Sequence, residues 1–318
     1  MPPPILVTGG CGLIGSAVVE RALAAGMRAF VLDNLSTGNL KNLPQDPRVE
    51  LTVGDVCDDA LVGSLVRRCG LVAHLAAGVG VGRILARPTG MLRQSLLGTE
   101  IVLRHAAAVR RPVFFASTSE IYGDSDGEPL AETRPVGFGA PDQMRFTYAA
   151  GKIAGEALAF SYAREYGLPV AVGRFFNVTG ARQSADGGAV LPTFVRQALA
   201  GATITLHGDG SQTRCFLDAR DAAEYVWRLL EDAETGGSLV NIGRPEPTTI
   251  FDLARRVRDL VDPRVKIDAR PPKYGRGFVP IRHRRPDVRR LLALTGYAPR
   301  VSLDETIRSC VNVARAAR

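Results

Sequence analysis

The chain has 318 residues, a formal charge of +8 and 46% apolar residues, enough for one large domain or two interleaved ones. No apolar run approaches the ~20 residues of a membrane span, and the three prolines after Met1 leave no room for the basic and apolar parts of a signal peptide. Five scattered cysteines without CxxC spacing argue against a disulfide framework or a zinc site, so a soluble, cytoplasmic, metal-free protein is expected. The positive charge is almost all arginine, with Lys41, Lys152, Lys266 and Lys273 the only lysines. It thickens around Arg282, Arg284, Arg285, Arg289 and Arg290 with no aromatic residues interleaved to stack bases. The charge therefore suits a small phosphate-rich ligand better than nucleic acid.

Ile5–Val7 reads as a buried strand and Gly12–Ala25 as a helix, joined by Thr8-Gly9-Gly10-Cys11-Gly12-Leu13-Ile14-Gly15. In such a turn Gly9 permits the tight bend, Gly12 lets backbone approach a pyrophosphate, and Gly15 lets helix pack on strand. The free N–H groups of the helix start favour the phosphates. Ala29–Leu32 is the next strand. It ends at Asp33, at roughly the 20-residue offset expected of a ribose-binding carboxylate. A carboxylate there accepts from a ribose diol and repels a 2′-phosphate, which favours NAD over NADP; Asn34 follows it. Glu50–Val53 and Leu71–His74 are further strands. Asp55-Val56 after the first would flank the adenine, and Leu75-Ala76-Ala77 after the second leave room for the cofactor.

Helical stretches are expected over 58–68, 90–109 and 144–166, and strands at Pro112–Ala116 and Pro169–Gly173. Strands alternating with helices predict an α/β fold, a Rossmann-type doubly wound parallel sheet with helices on both faces. Thr118, Ser119 and Glu120 follow the fifth strand, whose end points at the ligand crevice of such a sheet. Tyr148 and Lys152 are spaced i, i+4 on one helix face. A cationic neighbour favours the phenolate of a tyrosine, making Tyr148 a candidate base; Arg145 lies on the same stripe. Beyond residue 174 the pattern predicts helices at 189–200, 219–232 and 248–262 and a strand at Thr203–Leu206. It also predicts an irregular 263–287 and a last helix opening near Ser302, where Ser302 and Glu305 fit a capping box.

Thr8–Gly15, Asp33, Thr118, Tyr148 and Lys152 together resemble the extended short-chain dehydrogenase/reductases, the NAD-dependent epimerase/dehydratase family, over essentially the whole chain. Within it, Thr118-Ser119-Glu120-Ile121-Tyr122-Gly123 resembles the active-site strand of UDP-glucuronic acid decarboxylases, or UDP-xylose synthases. Gly208–Arg214 resembles their nucleotide-binding turn, and Tyr274–Phe278 with His283-Arg284-Arg285-Pro286 their carboxylate-binding segment. Departures are Phe278 in place of Tyr, Ala149-Ala150-Gly151 before Lys152, and Ser95 in place of Asn.

The resemblance implies NAD as cofactor, with catalysis by Thr118, Ser119, Glu120, Tyr148, Lys152 and Arg284. Arg145, Asn177, Arg214 and Arg284 would hold a UDP-sugar, UDP-glucuronic acid foremost. It implies an NAD-binding domain over 1–174, rejoined by 217–243, and a smaller C-terminal substrate domain over 175–216 and 244–318. A homodimer would form through the helices near 90–109 and 144–166. The expected reaction is oxidation at C4 of the sugar and loss of CO₂, giving a UDP-4-keto-pentose or UDP-xylose. A UDP-sugar 4-epimerase or dehydratase is the enzymatic alternative. A dinucleotide-sensing protein is the non-catalytic one, although retention of both Tyr148 and Lys152 speaks against it.

Overall fold

The structure, a computed structural model, describes residues 3–78, 88–125, 127–137, 146–185, 188–232, 237–271 and 281–316. In chain order the first elements are β1 (Ile5–Thr8), α1 (Leu13–Ala24), β2 (Ala29–Asp33), β3 (Val49–Val53), α2 (Asp59–Arg68) and β4 (Leu71–His74). Then come α3 (Pro88–Arg93), α4 (Thr99–Ala108), β5 (Val113–Thr118), α5 (Thr147–Tyr166), β6 (Val170–Phe175) and β7 (Val178–Thr179). They are followed by α6 (Val190–Leu199), β8 (Ile204–His207), β9 (Thr213–Arg214), β10 (Leu217–Asp218), α7 (Ala219–Glu231) and β11 (Ser238–Ile242). The last are β12 (Thr248–Thr249), α8 (Ile250–Val261), β13 (Ile267–Arg270), α9 (Arg289–Thr295) and α10 (Leu303–Ala316).

Seven parallel strands form the central sheet in the order β11-β6-β5-β4-β1-β2-β3. The strands are apolar on both faces, as a sheet covered on both sides requires. Alternate residues therefore enter different cores: Ile5, Val7, Ala29 and Val31 pack with α1, α7 and α9, whereas Leu6, Phe30 and Leu32 pack with α2, α4 and α5. The order reverses between β1 and β4, and a reversal opens a crevice at the carboxyl ends of the strands. A third core joins α6, α8, α10 and β8 through Leu191, Phe194, Leu206, Leu253, Val257 and Ile307.

Several elements differ from the sequence reading. Residues 263–287 are not wholly irregular, since Ile267–Arg270 forms β13 and pairs in parallel with β8. Only Ile267 and Ala269 are apolar in it, too short a pattern to read without its partner. Leu130 N–H donates to the Arg285 carbonyl at 2.8 Å, and Ser125 bridges His283, so the arginine-rich segment is stitched to the loop after β5. Strand β5 runs on through Ser117 and Thr118. The long helix expected over 90–109 is broken by a wide π turn at Gln94–Gly98. Strand β11 and helix α9 are not among the elements read from the sequence. The capping box holds: Ser302 N–H donates to Glu305 Oε2 at 2.7 Å and Glu305 N–H to Ser302 Oγ at 3.2 Å.

Candidate active site

One cleft of about 960 Å³ lies across the reversal point, lined by Gly9, Gly12–Gly15, Asp33, Asn34, Val56, Leu75–Ala77, Thr118, Glu120, Tyr148 and Lys152. Its floor is built for close backbone approach. Gly9 has φ +73°, and a Cβ on it would meet Ala76 backbone at 2.9 Å. A Cβ on Gly15 would stand 2.2 Å from the Gly9 carbonyl. No side chain caps the start of α1, which leaves its first N–H groups for an anion. Asp33 accepts from Cys11 N–H at 2.9 Å and Leu35 N–H at 2.8 Å. Its carboxylate thus ties the glycine turn to the loop after β2 while facing the cleft. Asp55 stands behind Asn34, accepting from its Nδ2 at 2.9 Å. These features fit a dinucleotide: glycines and a free helix start for the pyrophosphate, and an acid for the ribose.

At the other end of the cleft, Thr118 caps the short 3-10 turn Ser119–Tyr122, its Oγ1 accepting from Glu120 N–H at 3.2 Å. Burial and the Glu120 carboxylate push the Tyr148 hydroxyl well above its ordinary range, while a hydrogen bond with Thr118 works the other way. This is opposite to the direction expected from Lys152 alone. Lys152 is buried, donates to the Ala116 carbonyl at 2.6 Å, and is pushed down to about 8 by burial against the pull of Glu156. In water-poor surroundings both neutral forms gain. A charged dyad therefore needs help from its surroundings.

Other predicted site residues take different places. Arg284, 6% exposed, donates from Nη1 to Glu120 Oε1 at 2.7 Å. Its Nε has no hydrogen-bond partner among the described residues. It stands behind Glu120 and is not part of the cleft lining. Ser119 is buried in the turn. The Asn177 Oδ1 is buried without a hydrogen-bond partner among the described residues, while its carbonyl accepts from Leu217 N–H at 3.0 Å. Arg214 donates to the Ile281 carbonyl at 2.9 Å and the Thr213 carbonyl at 2.7 Å, fastening β9 to the 281–287 segment. Arg145 and Tyr274–Phe278 lie outside the described residues. The structure adds Ser36, Thr37, Lys41, Gln94, Arg182 and Gln183 to the lining. The polar, glycine-containing stretch after Asp33 was a sequence signal for the first three, whereas Gln94, Arg182 and Gln183 arrive only through folding. Among the described residues no cluster of His, Cys, Asp or Glu is suited to a metal, and no helix is long and apolar enough to cross a membrane.

Comparison with known proteins gives the family. The chain is 33% identical over 96% of its length, and 96% of the relative's, to UDP-N-acetyl-alpha-D-glucosaminuronate decarboxylase of Bacillus cytotoxicus. It is 33% identical to UDP-glucuronic acid decarboxylase 6 of Arabidopsis thaliana, over 95% of this chain and 85% of that one. The NAD complex of Thermus thermophilus UDP-glucose 4-epimerase superposes with a TM-score of 0.85 at 30% identity, covering 99% of this chain and 100% of that one. The profile of the NAD dependent epimerase/dehydratase family matches residues 5–243. With its glycine turn, Asp33 and its Tyr148/Lys152 pair on one cleft, the chain belongs to that NAD-dependent family of enzymes.

Proposed function

We propose that the protein is an NAD-dependent decarboxylase of a UDP-linked uronic acid, UDP-glucuronic acid foremost, working as a cytoplasmic homodimer. The observation that carries this reading is Arg284. It is a buried guanidinium whose Nε has no partner among the described residues, set against Glu120 at the sugar end of the cleft. A neutral hexose asks for no such cation, whereas a substrate carboxylate would compete with Glu120 for it. The full-length likeness to uronate decarboxylases points the same way. NAD, when bound, supplies a reversible hydride acceptor for C4 of the sugar.

The side chains of the chain do the rest. Tyr148 takes the proton of the 4-hydroxyl, and Thr118 holds that oxygen. The resulting 4-ketone is β to the carboxylate, so the electrons freed with CO₂ are carried by the ketone oxygen as an enolate. Arg284 orients the carboxylate. Glu120, with Ser119 beside it in the turn, manages the proton returned to C5. Asn177, Arg214 and Arg145 would hold the UDP. Hydride return gives UDP-xylose; early release gives the 4-keto-pentose.

The test is CO₂ release from UDP-glucuronate, with the nucleotide product identified. Release by the wild type is expected. Arg284→Ala should lower turnover about ten- to a hundredfold, the worth of a charge-assisted hydrogen bond, and leave NAD affinity intact. Tyr148→Phe should cost roughly 10²–10⁴-fold. A C4-epimerised product without CO₂ would establish the epimerase alternative, to which the Thermus structure is a precedent in fold. Light scattering at micromolar concentration should give a dimer mass, since α5 presents Tyr166, 57% exposed, beside Tyr162, whose hydroxyl donates to Glu100 of α4; a monomer would refute that part.

A further inference from the structure

Helix α5 carries a buried acid that the mechanism above does not use. Glu156 lies one turn beyond Lys152, is 6% exposed, and never reaches the cleft. Its carboxylate is held by two residues, Ser117 and Arg174. Ser117 Oγ donates to Oε1 at 2.5 Å, Arg174 Nε donates to the same oxygen at 3.0 Å, and Arg174 Nη2 donates to Oε2 at 2.7 Å. Arg174 on β6 is itself anchored, its Nη1 donating to the Tyr122 hydroxyl at 2.8 Å and the Glu132 carbonyl at 3.2 Å. Tyr122 in turn donates to Asn241 Oδ1 at 2.8 Å, and Asn241 Nδ2 donates to the Leu130 carbonyl at 2.7 Å. The result is a rigid, buried acid one helical turn from a buried lysine, with no direct ion pair between them.

Lys152 needs such a neighbour. Its Nζ has the Ala116 carbonyl of β5 at 2.6 Å and the Phe115 ring centroid at 4.8 Å. His74 of β4 is buried close enough for the lysine charge to suppress its protonation. Tyr148 shares its helix face, and Glu120 in the 3-10 turn acts on Tyr148. Burial favours the neutral amine, and Glu156 is the carboxylate that opposes it. Arg174 pairs with both oxygens of Glu156 and so offsets part of the charge that Lys152 faces.

We propose that Glu156 is a positioning residue that keeps Lys152 charged, with Ser117 and Arg174 as the clamp that fixes Glu156. The proposal rests on the reading of Lys152 as part of the catalytic machinery. Lys152, once charged, lowers the cost of a Tyr148 phenolate; without Glu156 the burial that isolates the site would discharge it.

The chain has only Lys41, Lys152, Lys266 and Lys273, so the lysine ε-carbon signals of ¹³C-lysine-labelled, NAD-loaded protein are few enough to follow individually by NMR, and Lys152→Met assigns the one in question. Glu156→Gln should move the Lys152 titration down by about one pH unit or more, the effect of removing a nearby opposite charge. The alkaline limb of kcat/KM should move the same way, with partial return in Glu156→Asp. Glu156→Gln leaves Arg174 buried and unpaired, so Glu156→Gln with Arg174→Met is the second variant, since replacing a buried pair as a unit is often tolerated. It should show a downward shift of the same sign but smaller, because the Arg174 charge that offsets Glu156 goes with it. An unmoved Lys152 titration in the folded variants overturns the proposal. A moved titration with an unmoved rate profile upholds it and overturns instead the catalytic reading of Lys152.

Discussion

At the level of single residues, the cleft holds two acids by different kinds of partner. Asp33 takes two backbone N–H groups, from Cys11 and Leu35, which fix its place at the cleft wall. Glu120 takes Arg284, which ties it to the segment after β13. Asp33→Ala should therefore weaken NAD binding and raise the relative use of NADP, because both the diol acceptor and the repulsion of a 2′-phosphate disappear. Titration of both dinucleotides by fluorescence checks this, and an unchanged preference would place Asp33 away from the ribose. The loss of the two loop anchors should also loosen the turn, so part of the effect will appear as a lower melting temperature.

Among the elements, the strand–turn–helix at β1 and α1 is the one with least tolerance. Gly15 sits where α1 presses on the turn, and a Cβ there would overlap the Gly9 carbonyl at 2.2 Å and the Gly10 Cα at 2.7 Å. Both are backbone atoms that cannot swing aside as a flexible side chain would. Gly15→Ala should displace the helix start, abolish measurable NAD binding and lower the melting temperature by several degrees, roughly what 1–3 kcal/mol of overpacking produces. Calorimetric titration with NAD and a thermal melt together check it. Gly188, by contrast, has a φ of +80° and nothing within 4 Å of the point a Cβ would occupy, so its demand is conformational rather than steric.

For the molecule as a whole, the sheet carries a buried histidine whose protonation couples folding to pH. His74 at the end of β4 lies between Thr8, at 2.8 Å from Nδ1, and Thr99, at 3.1 Å from Nε2. Thr99 donates to the Ser95 carbonyl at 2.6 Å, so its oxygen accepts from Nε2–H and leaves Nδ1 to accept from Thr8: the neutral ring satisfies the chain of bonds. Burial and the Lys152 charge push its pKa down to about 3. The unfolded chain takes up this proton near pH 6.5 and the folded chain does not. The contribution to stability is therefore complete above about pH 6.5 and is lost as pH falls from there toward about 3, at about 1.4 kcal/mol per pH unit. Urea midpoints should fall between about pH 7 and pH 5 in the wild type and fall less in His74→Gln; equal slopes would show that other groups carry the acid sensitivity.

How much of this was legible beforehand follows the range of the interactions. Gly9–Gly15, Asp33 and the Tyr148/Lys152 spacing depend on contacts within a strand, a turn or one helical turn, so the amino-acid order alone determined the glycine turn, the parallel α/β sheet and the NAD-dependent family. Strand β13 was hidden because its half-exposed residues become a strand only through pairing with β8, far earlier in the chain. The Arg284–Glu120 pair and the Lys152–Glu156–Arg174 row were beyond reach in the same way. A carboxylate on a helix is ordinarily solvated, and nothing in the local pattern marks Glu156 as buried. Only the packing of β5 and β6 against α5 brings Ser117 and Arg174 to it, because the energy that selects a buried charge comes from partners the chain delivers from afar.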